Sequence, residues 1–189
     1  NISNNMYGII LSNSNNNSIN ENIYSSNFNP ITLVSSSNNN TISNNSFSEN
    51  QHDIIIESNS IYNTIINNTF SNVECCSCIC VRNSNKNLIM NNTITNVPGG
   101  IGILIQYSKK NTIKGNTIIN LKWQSGIYLW GSSNNTVSEN NLISCNTGIL
   151  TGANNNYIYH NNFLNNEENA YDKYNNTWDN DYPSCGNFW

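Results

Sequence analysis

Charge is what this sequence has least of. Seven Lys and Arg stand against eleven Asp and Glu in 189 residues, giving a formal net charge of −4. That leaves no basic footprint for nucleic acid or for anionic lipid. No apolar run approaches the ~18 residues of a membrane span, so none is expected. Histidine occurs only twice, at His52 and His160. These lie far apart along the chain and read as turn or surface residues. No signal-peptide pattern opens the chain at Asn1, and no Met stands there. The expectation is a processed chain or a fragment whose repeat continues beyond Asn1.

Asparagine, in contrast, supplies 48 of the 189 residues, with Ser and Thr also abundant. Composition alone would allow a disordered or prion-like tract. Against that, 37% of the residues are hydrophobic, and they fall at fixed intervals. The recurring motif is Asn-x-Ile/Val-x-x-Asn-x-aromatic/aliphatic, first seen as Asn17…Ile19…Asn22…Tyr24. It returns from Asn40, Asn63, Asn87, Asn111, Asn135 and Asn156, at steps of 23, 23, 24, 24, 24 and 21 residues. Asn1–Asn5 looks like the tail of a further copy. A second alternating apolar pair precedes each motif, as in Ile9/Leu11, Ile31/Leu33 and Ile103/Ile105.

Alternation with period two specifies strands, and three short strands per repeat make one turn of a solenoid. The expected fold is all-β, a right-handed single-stranded parallel β-helix of about seven coils of 21–24 residues. Coils occupy 1–166, and 167–189 closes the same domain. Coils stacked about 4.8 Å apart bring equivalent residues into register and give a rod roughly 34 Å long. Ile19 to Ile158 and Tyr24 to Phe163 form inward ladders. The row from Asn22 to Asn161 takes the corner, where asparagine tolerates left-handed backbone and its amide can bond its copy one coil away.

The Asn-Thr-Ile-x-x-Asn repeat, as in Asn111-Thr112-Ile113, resembles the parallel β-helix repeats of secreted proteins. Similar arrays occur in archaeal cell-surface proteins and in NosD-type periplasmic proteins. The segment Asn176 to Trp189 is similar to the Trp- and Gly-rich piece that closes such helices in archaeal proteins. The resemblance implies an extracellular or cell-surface location and often an association with carbohydrate. It implies no single chemistry.

Cys75, Cys76, Cys78 and Cys80 fall within six residues. Cys78 and Cys80 flank Ile79 on one strand, so both should face outward. Local disulfides are the plainest reading, with free thiols and copper or zinc thiolate ligation as the others, although the spacing is not that of a zinc ribbon and no His lies beside it. Cys145 and Cys185 are placed to tie the closing segment to the last coils. Sequons at Asn1, Asn16, Asn39, Asn44, Asn67, Asn91, Asn134 and Asn175 permit glycosylation in a secreted chain.

The acids Glu49, Asp53, Glu57 and Glu74 are scattered over two coils, and no two occupy equivalent positions of neighbouring coils. Glu57 should stack beneath Arg82 as a surface ion pair. No catalytic residue and no cofactor is expected; a polysaccharide lyase or hydrolase is the enzymatic alternative.

The outward positions of one strand face are unexpectedly apolar: Ile10, Thr32, Ile55, Cys80, Leu104, Tyr128 and Leu150. Tyr107 and Trp130 join them, with Trp123 in an adjoining turn. Such a stripe requires an explanation. It packs on another subunit, is covered by the chain's own loops or tail, or stacks sugar rings. The functional expectation is a non-enzymatic structural or adhesion module that self-associates laterally or head to tail, into a filament or surface layer. Carbohydrate binding is the alternative, and metal handling at Cys75–Cys80 the third reading.

Overall fold

The computed structural model describes residues 1–74, 76–181 and 185–189. The described residues form strands and turns, with no helix, and every pairing between named strands is parallel. One sheet of eight strands runs from Ile2–Ser3 to Asn162–Leu164. A second sheet of eight, with strands of up to seven residues, runs from Tyr7–Ser12 to Glu168–Asp172; it is called the wide sheet below. The third sheet runs from Ser18–Asn20 to Tyr157–Tyr159. Each neighbour in a sheet is one coil away in sequence, which is the parallel β-helix the repeat predicts.

The inward ladders are as expected. Ile19, Ile42, Ile65, Ile89, Ile113, Val137 and Ile158 pair in sequence order. Ile2, Tyr24, Phe47, Phe70, Ile94, Ile118, Leu142 and Phe163 do the same on the first sheet. Ile2 thus belongs to a further copy of the repeat, as the Asn1–Asn5 tail suggests. Tyr24, Phe47 and Phe70 stack face to face with centroids 4.8 Å apart, one ring per coil.

The corners are built from buried amides. Asn45 Oδ1 accepts both the backbone N–H and the Nδ2–H of Asn22, at 2.9 and 3.1 Å. Asn45 Nδ2 in turn donates to the carbonyls of Ile19 and Ser43, both at 2.9 Å. The same bonds continue through Asn68, Asn92, Asn116, Asn140 and Asn161. A second such row runs from Asn17 to Asn176 through the first Asn of every motif. A serine row, Ser14 to Ser132, uses the hydroxyl as acceptor in the same way. These polar side chains therefore enter the interior with their donors met, which removes the penalty of burying an amide.

One expectation about the corner is corrected. The left-handed residue is the one before the ladder Asn: Asn44, Asn67 and Asn91 have φ of 55°, 56° and 54°. The ladder residue must keep an ordinary backbone so that its amide points inward. Asn16, Asn39 and Asn134 occupy equivalent left-handed sites before the other row. Six of the expected sequons are therefore a left-handed Asn, a ladder Asn and an outward Ser or Thr in succession.

The closing segment is an eighth, altered coil. Glu168–Asp172 adds a strand to the wide sheet. Asn176 and Asn187 each add a rung to an Asn row, and Trp189 stacks on Phe163 at 4.9 Å. Asp172 gathers it, accepting from Thr151 Oγ1, Asn176 Nδ2 and the Trp178 indole at 2.7 to 2.9 Å. Burial opposes the charge of Asp172, but bonds from Thr151, Trp178, Tyr174 and Asn176 outweigh it and hold the carboxyl below its ordinary value.

The aromatic stack contains one mismatch. The Tyr24 hydroxyl is buried with no hydrogen-bond partner, and burial pushes its pKa up to about 12. Tyr24→Phe keeps the ring and removes the orphaned hydroxyl. It is expected to stabilise the protein by about 1 kcal/mol, raising the calorimetric Tm by roughly 2–4 °C.

Candidate binding surfaces

The outer face of the wide sheet carries the apolar column that the sequence predicts. Ile10, Thr32, Ile55, Cys80, Leu104, Tyr128, Leu150 and Tyr171 pair in that order. Its exposure is uneven. Ile10 is 50% exposed, whereas Thr32 and Cys80 are buried beside larger neighbours. The closing segment extends this column with Tyr171 and covers the end of the core with Trp178 and Trp189.

Aromatic rings concentrate in the upper coils. Tyr128 and Trp130 lie two residues apart on the same face, with ring planes 5° from parallel and centroids 6.0 Å apart. Tyr107 leans against Trp130 at 6.2 Å and 46°. Two glycines make this arrangement possible. Gly131 has a φ of 58°, and a Cβ there would meet the Tyr107 ring at 2.8 Å, so a side chain would displace that ring. Gly152 pairs with Trp130 in the coil above, where a Cβ would lie 3.6 Å from Tyr128 Cε2, so the Tyr128 ring rests against bare backbone. Below, Gln106 pairs with Trp130 and accepts from Arg82 Nε at 2.8 Å. Arg82 meets Glu57 at 3.6 Å, the expected surface pair.

Trp123 does not join this cluster. It lies at the corner between the first and wide sheets, where two clefts open along one edge. The lower cleft, about 630 Å³, is lined by Met6 and Phe28 and by Glu49 and Glu74 among amide side chains. The upper one, about 350 Å³, is lined by Asn72, Asn96, Asn120, Pro98, Lys122 and Trp123. Glu49 and Glu74 are scattered in the sequence. They occupy non-equivalent positions in successive coils and still share a wall, because one follows the corner and the other precedes it.

The cysteine segment departs from expectation. Cys78 is fully buried and packs in the hydrophobic core; Cys80 is buried under the outer face and stands apart from that core cluster. The expected outward pair is thus split: Cys78 and its neighbour Ile79 are both buried in the core, so strict alternation fails within this strand. Cys78 aligns with Gly102, where a Cβ would point at Ile118. Cys78, Cys80 and Cys145 are free thiols, so the expected bridge from Cys145 to Cys185 is not formed: Cys145 is sunk in the core, and Cys185 is exposed. Burial raises the pKa of all three, that of Cys145 to about 11, which disfavours thiolate. Cys76 is exposed and left-handed, with a φ of 70°; Cys75 lies outside the described residues. Among the described residues no three His, Cys, Asp or Glu side chains come together to hold a metal ion.

The core beside Cys78 holds a buried acid. A third Asn row, Asn5, Asn27 and Asn50, gives way to Val73, Val97 and Leu121 in the next coils. At the break, Asn50 Nδ2 turns to Asp53 Oδ1 at 2.9 Å. Asp53 is wholly buried, faces the Cys78 thiol, and leaves Oδ2 without a conventional hydrogen bond. Burial pushes its carboxyl well above the usual range, more than the bonds from Asn50 and Cys78 lower it. His52, next to it, is shifted down by burial and by the Arg82 charge. His160 sits at a left-handed corner against the Tyr159 ring.

A carboxyl raised in the folded state binds its proton more tightly there than when unfolded. Asp53 therefore costs stability progressively as pH rises from the ordinary carboxylate pKa through its raised value. Asn169 accepts from Asn166 Nδ2 at 3.2 Å with the same three-residue spacing, so an amide suits this role. Asp53→Asn is expected to raise Tm at neutral pH and to leave it nearly unchanged near pH 3. Thermal melts across that range check this; equal gain at both ends would refute the assignment.

A family model described as periplasmic copper-binding protein (NosD) matches residues 1–78 and 74–189. No curated protein matches the chain. Among solved structures, the crystal structure of the periplasmic alginate epimerase AlgG is similar, with a TM-score of 0.74 and 19% identity over 93% of this chain. That likeness is one of fold. The match takes in 48% of the epimerase chain, so this chain spans about half of its length.

Proposed function

The chain belongs to the family of the periplasmic copper-binding protein NosD, and from that membership and its outer-face geometry we propose a saccharide-binding β-helix module working outside the cytoplasm. The observation that carries the reading is the parallel pair Tyr128 and Trp130 on the outer face, with Trp130 45% exposed. The apolar C–H face of a pyranose stacks on an aromatic face because the ring's π cloud is electron-rich. Trp130 presents an exposed ring to it, and the Gln106 amide and Arg82 guanidinium lie below to meet hydroxyl groups.

The proposed activity is adhesion without bond cleavage. Glu57 is paired with Arg82, Glu139 with Lys114, and Asp172 is bound up in the closing coil. Copper enters only through the family description. The thiols of Cys78 and Cys80 do not converge and burial favours their protonated forms; these residues do not fit a copper site, and the proposal uses none.

On a glycan array, Trp130→Ala and Tyr128→Ala are each expected to weaken binding by about tenfold or more, with unchanged Tm. Undiminished binding by both variants, or turnover of a bound glycan, would overturn the reading.

A second reading, lateral association of copies into a filament or surface layer, is favoured by the apolar column itself, with Ile10 half-exposed and Ile55, Leu104 and Leu150 partly so. It predicts a sedimentation coefficient that rises with concentration and ceases to do so in Leu104→Lys; a concentration-independent monomer removes it.

A further inference from the structure

The upper corner cleft has the parts of a ligand site separate from the aromatic face. Asn72, Asn96 and Asn120 occupy left-handed corner positions of three successive coils, with φ of 54°, 54° and 65°. Their backbones are pinned, each N–H donating to the coil above at 3.3, 3.1 and 2.9 Å, so their amides stand in line at the coil spacing. Asn120 Nδ2 donates to Asn96 Oδ1 at 2.7 Å. Among the described residues, the Asn72 amide, Asn96 Nδ2 and Asn120 Oδ1 make no hydrogen bond. These groups are left to a ligand in the cleft they line.

Two further side chains set the ligand's character. Trp123 is 75% exposed, the most exposed of the large hydrophobic residues among the described residues, and it lines the cleft beside Pro98. Lys122 shares the wall, and no carboxylate pairs with it among the described residues. An aromatic face, a row of amides and an unpaired ammonium in one small cleft match a pyranose bearing a carboxylate. The indole takes the ring, the amides take hydroxyl groups, and Lys122 takes the charge. Further down the same corner the lining turns acidic at Glu49 and Glu74, which repels an anion and confines it to the Trp123 end.

We propose that the cleft of Asn72, Asn96, Asn120, Lys122 and Trp123 is a binding site for an acidic saccharide of the uronic acid class. It is independent of the Tyr128 and Trp130 face. The test is isothermal titration of the full chain with trigalacturonate and with uncharged maltotriose at low ionic strength. Trigalacturonate is expected to bind about fivefold tighter, as one exposed ion pair allows, and the preference should fade with added salt. Lys122→Gln should reduce it to the maltotriose level. Trp123→Ala should lower affinity for both sugars by about tenfold or more, and Trp130→Ala should leave the charge preference unchanged. Failure of the unaltered protein to bind trigalacturonate would overturn the proposal. So would its full binding by folded Trp123→Ala, or a charge preference that survives Lys122→Gln. Loss of the charge preference in Trp130→Ala with Trp123 intact would transfer the acidic ligand to the aromatic face and also overturn it.

Discussion

A buried amide bonded to its own copy one coil away is the interaction on which this molecule depends. A ladder Asn such as Asn45 uses Oδ1 to bind two donors of the coil below, and Nδ2 to bind one carbonyl of that coil, one of its own and the Oδ1 of the next Asn above. No other side chain of that size offers an acceptor and two donors so arranged. Aspartate would bring charge into a buried row, and serine is too short to reach both partners. The row fixes the register of the strands on either side, since a slip of one residue would break every rung. The inward Ile and Phe ladders supply the apolar burial that drives folding; the amides determine which residues stack.

The architecture was legible because it repeats. Seven motifs at nearly constant spacing specify coils, and period-two alternation specifies which side chains face inward. Reading failed where a coil departs from the repeat. Alternation places Cys78 outward, yet Asp53 and Cys78 are both fully buried. The eighth coil is not legible as a repeat because six extra residues separate its two ladder residues: Asn176 and Asn187 stand eleven apart where Asn156 and Asn161 stand five apart.

The candidate sites were less legible for a related reason. Tyr107, Tyr128 and Trp130 could be placed on one face by counting. That the Tyr107 and Tyr128 rings pack against the bare backbone of Gly131 and Gly152 depends on the coils above and below. The two corner clefts are formed by residues flanking a turn, which are distant in any pattern of alternation. Uniformity inside and variety outside divide the work: the inward rows build the rod, and a change in one outward column alters the surface at a single height.

The left-handed corner has a consequence for modification. Asn44, Asn67 and Asn91 are exposed, stand in consecutive coils, and each begins a sequon. The fold alone produces the triplet, so sequon density in such a chain measures its coil count before it measures glycosylation. Attachment sites about 4.8 Å apart are closer than the width of one sugar antenna. A glycan on the middle site would shield both neighbours, so occupancy along the column would be anticorrelated, and a fully sequon-bearing edge would carry sugar at alternate rungs at most.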